Sequence, residues 1–174
     1  MSRRAARLAL GLLLGLIWGT LGTTRGITNW LRQRALLQPA ILFGVLLLAL
    51  LSLALPVRRR ALLAVLGMAS VIFAGAWLLM RSPEERVHLI EYGIVAVLFE
   101  AVFRERRLLK AFLATIAAGW FDECLQALIP SRHYDLRDVG FNALAGFFGL
   151  LLLSAYRALA TDPQVMDVRE APFD

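Results

Sequence analysis

The sequence predicts an all-α integral membrane protein: a helical bundle of about six transmembrane helices with the N and C termini in the cytoplasm. Three observations lead there. Of 174 residues, 59% are hydrophobic and 18% charged, whereas a soluble domain averages about 45–50% apolar and about 25% charged residues. The charges fall in clusters separated by long gaps. Several of those gaps have the length of a bilayer crossing, for which about 20 apolar residues suffice.

The first segment has 17 uncharged residues between Arg7 and Arg25. "SRRAAR" followed by an apolar run is also the layout of a secretory signal peptide, but no A-x-A cleavage site follows and the run exceeds the usual length of about 7–15 residues. A retained helix is the expectation. Gly11, Gly15 and Gly19 form a small-residue row suited to close helix packing. The second and third segments have 23 uncharged residues between Arg34 and Arg58 and 20 between Arg60 and Arg81. Residues 1–81 thus hold three apolar helices without a recognised motif.

The fourth segment begins at Ser82-Pro83-Glu84-Glu85, a helix start: a capping hydroxyl, proline in the first turn, acids at the positive dipole end. It carries His88, Glu91 and Glu100. Near its far end Glu100 is expected to pair with Arg104, four residues on, across the helix surface. The fifth segment runs from about Leu108 to Ile129 and stops at Pro130. The sixth has 18 uncharged residues between Asp138 and Arg157. Residues 82–158 form a three-helix segment, and residues 159–174 a polar tail.

The net charge is +6, with Lys110 the only lysine. The arginines sit at the ends of apolar runs, not in a patch interleaved with aromatics, so the expected partners are membrane lipids with anionic headgroups and not nucleic acid. Cys124 stands alone, which excludes an intrachain disulfide and any CxxC site, and its apolar neighbours suggest a buried thiol. Alternate loops carry 12 and 7 of the Lys and Arg residues. The positive-inside rule then places both termini in the cytoplasm. His88 and Glu91, Asp122 and Glu123, the loop from Ser131 to Asp138 with its exposed His133, and the start of the sixth segment gather near the outer leaflet.

Helical spacing puts His88, Glu91 and Tyr92 side by side, pairs Gln126 with both Asp122 and Glu123, and stacks Asp138, Asn142 and Gly146 one turn apart. A carboxylate in the middle of a spanning helix costs about 2.5–3.5 kcal/mol on insertion scales and is by default a candidate functional group. The candidate binding set is His88, Glu91, Tyr92, Asp122, Glu123, Gln126, Arg132, Asp135, Asp138 and Asn142. Arg132 and Arg137 beside an external mouth suit a lipid phosphate or pyrophosphate. The same acids could instead pair with those arginines and seal the turn. One helix histidine makes a poor zinc site, and a carboxylate-rich set suits Mg²⁺ or Ca²⁺ better. No metal or other cofactor is expected. An enzymatic reading stays open, with Glu123 as general base and His88 and Asp138 as ligands or orienters. No nucleophile motif, HExxH or phosphate-cradling loop accompanies it, so binding is favoured over catalysis.

The C-terminal half resembles the VanZ-like family of bacterial membrane proteins. The resemblance rests on "VHLIEYG", on "DECLQALIPSR" and on "DLRDVGFNALAGFFG". By position His88, Tyr92, Glu123, Gln126, Pro130, Arg132, Asp138, Asn142 and Gly146 match. Ser131 stands where that family often has glycine and Leu125 where a histidine is common. The likeness covers about Ser82 to Leu153. It implies a multi-pass protein of the bacterial cytoplasmic (inner) membrane with a glycopeptide-resistance-like role in the cell envelope. The partner would be a lipid-linked cell-wall precursor, the glycopeptide or another amphiphile. An intramembrane hydrolase and a structural envelope scaffold are the alternatives.

Overall fold

A computed structural model describes residues 1–53, 58–80, 83–130 and 134–161. Among these the chain forms helices and no strand: α1 (Arg3–Gln33), α2 (Leu37–Leu53), α3 (Arg59–Leu79), α4 (Pro83–Val102), α5 (Arg107–Ala127) and α6 (Leu136–Thr161). Three of them hold windows long and apolar enough to cross a membrane, Arg3–Thr23, Arg59–Ala76 and Leu136–Ala160. Their outward faces are apolar; Leu12 is 75% and Val71 73% exposed. Such faces are stable only against lipid or another apolar surface. The chain is therefore described as a membrane protein.

Each boundary has a local cause. Ser2 caps α1 by accepting a hydrogen bond from the Ala5 N–H at 3.2 Å, the usual role of a serine hydroxyl at a helix start. The expected stop at Arg25 is not there, because α1 continues to Gln33. Its full length is about 46 Å, against a hydrocarbon core of about 30 Å. The extra turns carry Trp30 and Arg34, whose guanidinium lies 4.0 Å from the indole ring. The link to α2 is a three-residue turn with Ala35 in the left-handed region, φ 55°. α4 starts at Pro83, as its sequence predicts; Ser82 lies outside the described residues. α5 ends at Ala127, two residues before the expected Ile129, and the amides of Leu128 and Ile129 turn back to the carbonyls of Leu125 and Gln126. α6 begins beyond Asp135, whose carboxylate accepts the Arg137 N–H at 2.8 Å. The C-terminal tail from 162 lies outside the described residues.

The core is the α4–α5–α6 trio. α4 and α6 share the largest interface, α5 packs on both, α1 lies along α4 and α3 along α6. The α4–α6 crossing is possible because both helices lack side chains where they meet. A Cβ placed on Gly149 would collide with the Gly93 carbonyl oxygen, and one on Gly93 would lie 3.5 Å from the Ala145 carbonyl oxygen. One turn earlier a Cβ on Gly146 would sit 2.8 Å from Thr115 Cγ2 of α5. The expected small-residue face of the sixth segment therefore does bring its neighbours close, as small residues do in membrane bundles. The row in the first segment does not. A Cβ on Gly11, Gly15 or Gly19 would meet nothing within 4 Å, because α1 contacts α4 through Leu10, Leu13, Leu14 and Ile17 instead.

Two further expectations are corrected by the packing. Cys124 is exposed. The buried face of α5 is Ala111, Thr115, Ala118, Gly119, Asp122, Glu123 and Gln126, so Cys124 turns outward with Trp120, Phe121 and Leu128. Glu100 does not pair with Arg104. α4 ends at Val102, which removes Arg104 from the helix and the four-residue spacing with it. Glu100 is 1% exposed and receives two hydrogen bonds from Arg157 of α6, at 2.7 and 2.9 Å. Arg107 at the head of α5 approaches it to 3.4 Å.

Candidate functional site

The opposite end of the same trio gathers the rare polar residues. α5 supplies Asp122, Glu123 and Gln126, respectively 0%, 1% and 2% exposed. Four-residue and three-residue spacing puts all of them on the buried face. The Gln126 amide nitrogen donates to Asp122 Oδ2 at 3.0 Å and to Glu123 Oε1 at 2.9 Å. One amide thus holds two neighbouring carboxylates. The second oxygen of Glu123 accepts the backbone N–H of Asp135 at 3.1 Å, which ties α5 to the entry of α6.

α4 contributes His88, Glu91 and Tyr92. His88 Nδ1 lies 3.4 Å from Glu91 Oε2, and the His88 and Tyr92 rings, one turn apart, lie 6.0 Å from each other and are tilted by 47°. Tyr92 is fully buried, and its hydroxyl donates a long hydrogen bond, 3.5 Å, to the Ala118 carbonyl of α5. His88 stands within electrostatic range of Glu91, Asp122 and Asp138. Glu123 has the same relation to Asp122, Asp138 and His88. These relations bring described residues of α4, α5 and α6 to one end of the trio.

α6 contributes Asp138 and Asn142. Asp138 is half-buried at the first turn and has partners of its own. Asn142 is 1% exposed and packs against Gly119, where a Cβ would lie 2.8 Å from the Asn142 Cβ. Gly119 therefore makes the room that Asn142 occupies. Among the described residues, neither the nitrogen nor the oxygen of the Asn142 amide has a hydrogen-bond partner. Leaving such a group unmade in an apolar interior costs about 1–3 kcal/mol, so the position is not one that packing alone would select.

The remaining candidates are placed as follows. Asp135 is exposed, with its carboxylate engaged in capping α6. Arg137 is exposed, and its guanidinium lies 5.8 Å from the Phe141 ring. Arg132, with Ser131 and His133, lies outside the described residues. No group of three or more His, Cys, Asp or Glu side chains is arranged to hold a metal ion among the described residues. Asp135 caps α6, Asp122 and Glu123 share the Gln126 bridge, and Glu91 pairs with His88.

No protein-family model, no curated protein and no solved structure matches the chain.

One contributor escaped the sequence reading. Trp18 of α1 packs edge-on against Phe121 of α5, with ring centroids 4.8 Å apart, and its indole lies beside Tyr92. The signal was a lone tryptophan within an otherwise aliphatic run. A buried indole N–H normally finds a partner, and Tyr92 is the polar side chain beside this one. The site therefore has a fourth wall, which comes from the half of the chain that carries no motif.

Proposed function

We propose that this chain is a VanZ-like, multi-pass protein of the bacterial inner membrane, with six transmembrane helices and cytoplasmic termini. Its polar cluster, near the outer leaflet, binds the head group of a cell-envelope precursor or amphiphile. This would give it a glycopeptide-resistance-like role. The observation that supports binding most directly is Asn142, a fully buried amide whose nitrogen and oxygen have no hydrogen-bond partner among the described residues, packed against Gly119 on the α5 face that also buries Asp122, Glu123 and Gln126. Those groups are the kind that orient a polar ligand within a largely apolar site. Arg137 at the head of α6, and Arg132 earlier in the sequence and outside the described residues, are side chains that suit a phosphate or a carboxylate on the incoming molecule.

The test is retention of a fluorescent lipid-linked cell-wall precursor and of a fluorescent acylated glycopeptide by the purified full chain in proteoliposomes. Wild type is expected to retain at least one of them. Asn142→Leu and the Arg132→Ala, Asp138→Ala double variant are expected to lose it at unchanged protein abundance. Equal retention by all three proteins would overturn the proposal.

One observation favours a second reading. Glu123 of α5 already accepts the Asp135 N–H at the entry of α6, and the Tyr92 hydroxyl of α4 donates to the Ala118 carbonyl of α5, which is how polar side chains fasten helices to one another in a membrane. On this reading the chain is an envelope scaffold. Variants at Glu123 or Asn142 would then lower abundance and function together.

A further inference from the structure

Directly beneath the polar cluster, α2, α3, α4 and α6 enclose an open groove of about 820 Å³. That is the size of a pocket for a small molecule, about 300–1,000 Å³. Its walls are aliphatic and aromatic, with Ser70 and Tyr156 the only side chains among the described residues lining it that carry a hydroxyl. Its floor is the Gly93–Gly149 crossing, where missing side chains give the groove depth.

Two features say what fits there. The first is continuity. Leu89 and Ala145 line the groove and also belong to the apolar cluster built around Tyr92. Leu89 follows His88 in sequence, and Ala145 lies one turn below Asn142. A molecule whose head occupies the cluster has its next atoms at the groove. The second feature is length. The groove follows α6 from Ala145 to Tyr156 and α4 from Leu89 to Leu98, about 16 Å and about 14 Å of helix. Half of a hydrocarbon core of about 30 Å is about 15 Å. The groove therefore accommodates a chain one leaflet long and is too short for an extended polyprenyl tail.

We infer that the groove holds one acyl chain of the amphiphile whose head group the polar cluster binds. The inference rests on that reading of the cluster and narrows it: the ligand is an acylated amphiphile and not a polyprenyl-linked one.

The probe is phosphatidylglycerol carrying a diazirine halfway along one acyl chain, added to the purified full chain in detergent micelles, with cross-linked peptides identified by mass spectrometry. Labelling is expected to concentrate on groove residues such as Val97 and Phe148 over Leu12 and Leu16 on the outward face of α1. Val97→Phe and Ala69→Phe, on opposite walls, each fill the groove. Either is expected to lower groove labelling about tenfold, equivalent to about 1.4 kcal/mol of lost contact, while the protein elutes as wild type does. Polyprenyl phosphate in excess is expected not to compete.

Labelling no denser in the groove than on α1, or displacement by polyprenyl phosphate, would overturn the inference. Asn142→Leu separates the two claims. Groove labelling lost in Asn142→Leu but kept in Val97→Phe refutes the groove and leaves the cluster standing. Labelling equal in Asn142→Leu and wild type, yet lost in Val97→Phe, supports the groove and refutes the cluster.

Discussion

The two ends of the α4–α5–α6 trio bury charge in different ways. At one end Glu100 meets Arg157 through two short hydrogen bonds, with Arg107 behind. Acid and base are matched, and the two-pronged geometry is the one a guanidinium makes best. At the other end the acids Asp122 and Glu123 are held by an amide, and Asn142 has neither a donor nor an acceptor partner among the described residues. The contrast separates two ways of burying polar groups in a helix bundle. A pair that closes on itself fastens helices. The amide of Asn142 closes on nothing among the described residues, and it is there that the proposed ligand would be held.

The largest effect is expected where the closed end is broken. Glu100→Ala leaves two guanidinium groups facing an apolar gap. The loss should be about 2–3 kcal/mol, below the ~3–5 of a fully buried pair because Arg157 is partly exposed. Thermal unfolding in detergent measures it, and ligand retention by the folded fraction should stay at the wild-type level. A shift in unfolding temperature no larger than that of a surface substitution would remove the distinction between the ends.

Next comes the crossing that joins the ends. Gly149→Ala drives a methyl group into the Gly93 backbone, and overpacking of this kind costs about 1–3 kcal/mol. Gly140→Ala, with nothing within 4 Å, is the matched control and should be silent in the same melt.

The sharpest test lies at the open end. Asn142→Leu replaces an unsatisfied amide with an apolar side chain of similar size. Stability should hold or rise by about 1 kcal/mol while ligand retention is lost. Were stability to fall with retention, the two ends would both be structural. The smallest effect belongs to Gly15→Ala. That position faces open space, and alanine improves helix propensity by about 0.8–1.0 kcal/mol. Unfolding temperature should therefore rise slightly, with no change in retention.

How much of this was legible beforehand follows from range. The positions of α1, α2, α3 and α6 came from charge-free runs, those of α4 and α5 from a capping signal and a proline stop, and the partners of Gln126 from three- and four-residue spacing, because all are local. Glu100 was misassigned because its partner lies 57 residues away and because the end of α4 before Arg104 leaves no mark in the local pattern. Cys124 was misplaced for another reason. Spacing tells which residues share a face, but lipid is as apolar as a helix interface. It does not tell which apolar face meets protein. Trp18 combines both problems: its contacts are distant and its neighbours are uniformly aliphatic. Where polar residues marked the inward face, as on α5, the assignment carried through to atomic contacts.

The outward turn of Cys124 has a practical side. The chain carries one thiol, one residue from the buried Glu123 and less than a turn from the end of α5, with its sulfur pointing away from the bundle interior. It is a ready-made address label. A charged maleimide offered to intact cells, and then to inverted vesicles, should react from the outer side alone if the arginine count has oriented the chain correctly. The same handle, carrying a polarity-sensitive dye, would sit beside the cluster and sense an arriving molecule without a single substitution in the protein.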